Sequence, residues 1–369
     1  MKAGFYSPLP PAPTGVADYS AALLRALEPL GRVEVDARQA DVRLYHLGNN
    51  RLHGEIYRRA LETPGVVVLH DAVLHHFLLG TLGESEYVRE FTYNYGAWNE
   101  DLARQLWRKR ARSAADPQYF RYPLIKRIAE RSLAVVVHNP GAARMVREHA
   151  PDATIHEIPH LFEPPREAPG AAEVVHLRQN LALKPRTFLF AVFGHLRESK
   201  RLLSVLRAFE RVRGDSDVAL LVAGDFVSSD LKRAVAPLLS AGRGILRVGF
   251  TPERDFWRYA FAADACINLR YPAAGETSGI SIRLMGAGKP VLMTAGLETS
   301  QFPESACLKV DSGPAEEDML AEFMRMLARS PAHARMIGQT ASGYIREFHA
   351  PGRVAGEFWR VLGACYHKN

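Results

Sequence analysis

Only three cysteines, Cys266, Cys307 and Cys365, occur in 369 residues, and no two of them stand in a Cys-x-x-Cys spacing. So sparse and odd a set excludes a disulfide framework and a zinc-ribbon site; two of the three lie inside apolar runs, so buried reduced thiols are expected. No run approaches the roughly 18 uninterrupted apolar residues of a membrane-spanning helix. The chain opens on the strand-like Lys2-Ala3-Gly4-Phe5-Tyr6 in place of a signal peptide, which makes the cytoplasm the expected location. Internal repeats and low-complexity tracts are absent.

Acidic residues are the minority, 40 against 47 Lys and Arg, and the formal charge of +7 favours an anionic partner without naming it. Much of the excess is local. Residues 101–131 carry Arg104, Arg108, Lys109, Arg110, Arg112, Arg121, Lys126, Arg127 and Arg131 against Asp101, Asp116 and Glu130. Such a stretch is either a solvated helical face or a surface for peripheral contact with an anionic membrane, at its inner face if the protein is cytoplasmic. It has no aromatic-interleaved module, so no nucleic acid partner is expected.

What is present is the composition of a globular enzyme, 47% hydrophobic and 24% charged. The length suits two domains of about 150 to 200 residues. Short apolar, β-branched runs alternate with amphipathic segments, the pattern of parallel α/β sheets. Strands are expected at 4–6, 33–35, 42–45, 66–69, 134–137 and 154–158, then at 188–193, 218–223, 245–248, 265–269, 290–293 and 307–310. Helical patterns follow near 316–327, 331–348 and 354–366. The proline-rich stretch 159–185 reads as a linker and hinge. The expected architecture is two doubly wound, Rossmann-like domains, 1–165 and 180–350, facing an interdomain cleft, with 351–369 packing back on the first. Ligands of open parallel sheets bind at the carboxyl ends of strands, and each candidate segment below follows one.

Two such segments lie in the second half. Phe193-Gly194-His195-Leu196-Arg197-Glu198-Ser199-Lys200 reads as strand, glycine turn and polar loop, with Lys200 at the start of a helix. Gly275-Glu276-Thr277-Ser278-Gly279-Ile280 follows the strand at 265–269 and opens a short helix, where backbone N–H groups and the helix dipole favour a phosphate. In the first half, Ser7 to Thr14 and Gly15 follow the first strand, and a residue without Cβ at Gly15 allows close approach of a ligand. His46, Gly48 and Asn49 end one strand, His70 and Asp71 the next, and His138 a later one. His75 and His76 read as a packed or surface pair in an apolar helix. Five histidines between His46 and His76 raise a metal reading, but no ligand set with zinc spacing accompanies them.

The first of these segments is similar to the Gly-x5-Lys segment of family 4 retaining glycosyltransferases of the GT-B fold, in which a basic pair holds the donor diphosphate. There Arg often follows the glycine; here His195 does, and Arg197 becomes the second cation beside Lys200. The second segment resembles the family's Glu-x7-Glu landmark, and Gly288-Lys289-Pro290-Val291 aligns with its Gly-x-Pro-Val. Gly275 falls on the first Glu, with Glu276 one place late as in the Gly-Glu-Thr-Ser-Gly variant. Arg283 falls on the second Glu, the ribose ligand.

The resemblance implies transfer of a sugar from a nucleoside diphosphate sugar to an acceptor, a glycan, glycolipid or small molecule, with retention of configuration and with no cofactor or essential metal. It gives Glu276 a sugar contact and His70 a place beside the sugar and acceptor. Thr277, Ser278, Gly279 and Ile280 would act through backbone N–H groups; His46, Asn49, Asp71 and His138 would line the acceptor side. A GT-B sugar-nucleotide epimerase or phosphorylase, and a non-catalytic sugar-nucleotide or glycan-binding module, are the competing readings.

Overall fold

The structure is a computed structural model that describes residues 1–240 and 244–367. Residues 368–369 of the segment expected to pack back on the first domain therefore lie outside the described residues. Twelve strands are found among them: β1 Lys2–Tyr6, β2 Arg32–Val35, β3 Val42–Leu47, β4 Val66–Leu69, β5 Ala134–Val137, β6 Ile155–Glu157, β7 Phe188–Phe193, β8 Val218–Ala223, β9 Ile245–Val248, β10 Ala265–Asn268, β11 Val291–Thr294 and β12 Leu308–Val310. All of the expected strands are present, with ends displaced by no more than two residues.

They form two six-stranded sheets, of order β2-β1-β3-β4-β5-β6 and β12-β11-β10-β7-β8-β9, in which every pairing is parallel. Strands such as β4, β5, β7 and β8 read as unbroken apolar runs because both faces are covered. On one face of the first sheet Val67, Leu69, Val135 and Val137 meet Phe77, Tyr87 and Phe91; on the other Val66, Val68 and Val136 meet Leu23 and Phe358. In the second sheet Phe190 and Val192 pack with Val205 and Phe209, whereas Leu189, Ala191 and Phe193 pack with Phe256 and Met285. The period of two in the strands thus supplies both cores of each sheet.

The chain divides into two compact units, one of Met1–Leu161, Pro272–Gly279 and Phe348–Asn369, the other of Phe162–Tyr271 and Ile280–Glu347. Within the first, the helix Pro351–Tyr366 packs against the helix Gly15–Leu27, and Pro351 takes the first helical turn, where its missing N–H costs nothing.

The stretch expected to be a linker is more ordered than its prolines imply. It contains a helix, Ala171–Asn180, whose Leu177 is buried and whose Arg178 donates to the Ala262 and Thr187 carbonyls and to Asp264. The whole of Phe162–Tyr271, this helix included, folds with the second unit. Prolines stop helices but say nothing about side chains that anchor a helix placed between them.

Candidate functional site: strand ends, a clamped loop and a histidine nest

The order of each sheet reverses at one place, between β1 and β3 in the first and between β7 and β10 in the second. In doubly wound sheets ligands bind outside the carboxyl ends of the strands at that reversal. The segments after β1, β3, β7 and β10 are the Gly15 loop, the Gly48-Asn49 segment that follows His46, the Gly194 loop and the Glu276 loop.

In the second unit β7 runs into Gly194 at φ +88, where a Cβ would come within 2.5 Å of Ile280 Cδ1 and 3.0 Å of Lys200 Nζ. Glycine is required by backbone conformation and by space. Lys200 is buried, and its ammonium donates to the Phe193 carbonyl at the end of β7. His195 and Arg197 are exposed on the same loop. Partial burial, then the neighbouring Arg197 and Lys200, hold the His195 imidazole below its usual range against the opposing pull of Asp225. This end of the loop therefore presents Arg197 and Lys200 as its cations.

Arg201 holds the left-handed conformation at φ +55 and pairs with Glu316 at 2.8 Å, a carboxylate buried at the start of the helix Glu316–Arg329. Ser199 O accepts from Tyr271 N at 2.8 Å, which ties the loop after β7 to the start of the segment after β10. Asn268, the last residue of β10, donates to Ser281 Oγ at 2.6 Å and so fixes the helix Gly279–Gly286 to its strand.

Arg283 lies with its guanidinium over the rings of Phe256 and Trp257, at 4.2 and 4.6 Å from their centroids, and it pairs with Glu253 at 3.0 Å. Lys289 donates to the carbonyls of Phe261 and Ala263 at 2.8 and 2.7 Å, closing the carboxyl end of the helix Glu253–Ala262.

The loop 272–279 belongs to the first unit. Ala274 O accepts from Ala72 N and Val73 N, at 2.8 and 3.1 Å, just beyond His70 and Asp71. The Glu276 carboxylate accepts from Ala274 N at 2.7 Å. Asn139 donates to Gly275 O and Thr277 Oγ1, and the Thr277 hydroxyl donates to His138 O at 3.2 Å. Ser278 and Gly279 are half-buried, with Gly279 facing the His160 ring.

Of the remaining candidates, Gly15 begins its helix after the Thr14 cap, and a Cβ built on it meets nothing within 4 Å. Asn49 and Asp71 brace each other: Asn49 N donates to Asp71 Oδ2 at 2.8 Å, and Asn49 Oδ1 accepts from Phe77 N at 2.7 Å. His75 is buried against the Tyr87 hydroxyl, and His76 contacts Ser113 O at 3.1 Å.

His46, His70 and His138 meet around the ring of Tyr19, joined by His160. His46 Nδ1 and His70 Nε2 are 3.0 Å apart and share one hydrogen. His53, His138 and His349 each turn Nδ1 onto a backbone carbonyl, of His46, Ile158 and His160 respectively. A carbonyl only accepts, so these rings carry their hydrogen on Nδ1 and leave Nε2 as an acceptor. Burial, then the neighbouring histidines, hold His46 and His70 well below the usual imidazole range. Burial pushes His53, His138 and His349 down to about 4. The nest is neutral at pH 7, suited to exchanging hydrogen bonds with hydroxyls and unsuited to binding phosphate. Among the described residues no group of three His, Cys, Asp or Glu could hold a metal ion.

Sequence reasoning missed Tyr19, His160 and His349, which reach the nest from helices and coil, and gave Asn139 no role. Asn139-Pro140 after a strand is nevertheless a helix-start signature, and a capping side chain has a fixed position.

No family model matches the chain, and no curated protein matches it by sequence. Solved structures do. Sucrose-phosphate synthase from Thermosynechococcus elongatus is 15% identical, with a TM-score of 0.71 over 100% of both chains. HepE (Alr3699) of Anabaena, solved with UDP-glucose, is 14% identical, with a TM-score of 0.70 over 99% of this chain and 100% of that one. WaaG, a glycosyltransferase involved in lipopolysaccharide biosynthesis, is 15% identical, with a TM-score of 0.61 over 96% of this chain and 98% of that one. At these identities the likeness is one of architecture, and the architecture of this chain is the GT-B fold of glycosyltransferases.

Proposed function

We propose that this protein is a retaining glycosyltransferase of the family 4 type, which moves a sugar from a nucleoside diphosphate sugar to an acceptor hydroxyl. The observation that carries the reading is the placement of the Gly194–Lys200 and Glu276–Ile280 segments after β7 and β10, the strands that flank the reversal of the second sheet. HepE, of the same fold, was solved with UDP-glucose and with UDP and glucose, which supports a nucleotide sugar as donor.

In this reading Arg197, Lys200 and the N–H groups at the start of the helix Gly279–Gly286 take up the charge that develops on the departing diphosphate. Departure and attack occur on the same face of the sugar, with no protein nucleophile, cofactor or metal required. Glu276 and neutral His70 hold sugar hydroxyls, and Gly15, with open space beside it, admits the donor phosphate and acceptor. Ribose recognition falls near Arg283, whose pairing with Glu253 places a carboxylate beside it.

Thermal-shift measurement with UDP, GDP, ADP, dTDP and their sugar conjugates tests donor binding, and NMR of the product tests the anomeric outcome. Stabilisation by one diphosphate and its conjugate is expected, with retained configuration. An isomerised donor formed without acceptor, or a strict need for inorganic phosphate, would establish epimerase or phosphorylase chemistry instead. Binding with neither hydrolysis nor transfer would leave a binding module.

The basic segment supports a second part of the proposal, peripheral contact with an anionic membrane. Several of its charges are paired, Arg104 with Glu100 and Arg127 with Glu90, but Arg108, Lys109 and Arg112 are exposed, and Trp98 nearby is 85% exposed. No described helix is long and apolar enough to cross a membrane. Cosedimentation with anionic vesicles at low salt, lost as ionic strength rises, is expected; no pelleting at low salt would remove this part.

A further inference from the structure

Glu276 sits in a loop of non-repetitive backbone, where a side chain is only as well placed as the bonds that hold its neighbours. Those bonds converge on Asn139. It is 1% exposed, follows β5, and caps the helix Pro140–His149 by accepting from Ala142 N at 2.8 Å. Its Nδ2 donates to Gly275 O and to Thr277 Oγ1, both at 2.9 Å, the residues on either side of Glu276. The orientation of the amide follows from chemistry, since a backbone N–H faces one end and a carbonyl oxygen the other. The Thr277 hydroxyl passes its own hydrogen to His138 O, so its lone pair is left for Asn139. Gly275, at φ +69, lies so close to Ala72 that a Cβ would come within 2.6 Å of the Ala72 methyl group, while Ala274 O takes two backbone N–H groups. Residues 274, 275 and 277 are all fastened, and the carboxylate between them is aimed by that fastening.

We propose that Asn139 is a positioning residue for sugar-donor use: through Gly275 and Thr277 it holds the Glu276 carboxylate where the donor sugar is received. The proposal rests on the donor-site reading above. It separates two duties of one side chain, since the helix cap uses only Oδ1 and the loop clamp only Nδ2. Asn139→Asp keeps the acceptor that the cap needs, and Asp caps helices as well as Asn does. The same change sets a carboxylate oxygen against the Gly275 carbonyl, which opens the clamp.

The test compares wild type, Asn139→Asp, Thr277→Val and Thr277→Ser, with UDP and UDP-glucose as probes, or with the diphosphate and glucose conjugate that the thermal-shift panel selects. For Asn139→Asp we expect a folded protein of lowered melting temperature, since a carboxylate buried against a carbonyl is costly, with bare-diphosphate affinity within about 2-fold of wild type. Turnover with the sugar nucleotide should fall about 10-fold or more. Thr277→Val, which removes one of the two acceptors on a half-buried loop, should fall about 3-fold to 10-fold with the same split, and Thr277→Ser should restore wild-type behaviour. Wild-type turnover in a folded Asn139→Asp protein would overturn the inference while leaving the donor site standing. Equal losses of bare-diphosphate and sugar-nucleotide affinity would make Asn139 merely structural, and so overturn it too. If Asn139→Asp does not fold, unchanged turnover in Thr277→Val is the overturning result. A wild-type protein that binds none of the nucleotides removes the donor-site reading itself.

Discussion

Replacing Lys200 with alanine is expected to cut sugar transfer about 30-fold to 1000-fold, the consequence of losing about 2 to 4 kcal/mol of charge stabilisation in a water-poor site. The ammonium is buried at the carboxyl end of β7 and is held by the Phe193 carbonyl, so its position is set before any ligand arrives. A pre-placed charge costs little reorganisation when negative charge grows on a leaving diphosphate. Both nucleotide affinity and turnover should suffer. Lys200→Met keeps the aliphatic stem that fills this space and should lose the same activity, which separates charge from packing. Glu276→Ala should instead damage sugar-nucleotide use while sparing the bare diphosphate. His70→Ala should lower transfer with little change in diphosphate affinity, since a neutral imidazole offers a phosphate almost nothing. The decisive measurement is isothermal titration with diphosphate alongside single-turnover rates. A Lys200→Ala protein with both at wild-type values would mean that the loop after β7 does not bind the donor.

The strands and their order of events were legible because buried parallel strands are written as unbroken apolar runs, and Val66–Leu69 or Phe188–Phe193 can be little else. The Gly194 turn was legible for a related reason: a glycine between a strand and a polar loop marks a backbone that L side chains rarely adopt, and φ at Gly194 is indeed +88. What could not be read were bonds between residues far apart in sequence. The loop after β10 folds with the first unit because Asn139, Ala72 and Val73 bind it, and those partners are separated from it by more than a hundred residues. Periodicity is a local signal and carries nothing about such pairings. The helix Ala171–Asn180 was hidden for the opposite reason, since the flanking prolines are conspicuous while the anchoring by Arg178 is not.

The histidine nest makes the first unit sensitive to acid, and its sign can be worked out group by group. His53, His138 and His349 have folded-state values near 4, against about 6.5 for an unperturbed imidazole, because burial penalises their charged forms. A depressed imidazole leaves the unfolded chain holding more protons between those two values, so stability is full above about pH 6.5 and is lost as pH falls toward 4. At pH 5 a single such group costs about 2 kcal/mol, and three that titrate separately cost roughly 6, comparable with the 5 to 15 kcal/mol that holds a typical domain together. The Nδ1 atoms of these three rings face carbonyls, the Tyr19, His70 and His160 rings stand beside His138, and the nearby cation, Arg353, lowers His349 further. Opening the nest exposes the rings to protons together, which makes the loss cooperative. The melting temperature should therefore hold between pH 8 and 7 and drop steeply, by more than about 10 °C, between pH 6.5 and 5. Replacing His349 with glutamine, an uncharged group that can still donate to the His160 carbonyl, should flatten the slope by about one proton. Equal melting temperatures at pH 7.5 and pH 5 would show that these rings accept protons in the folded state and that the nest is open to water.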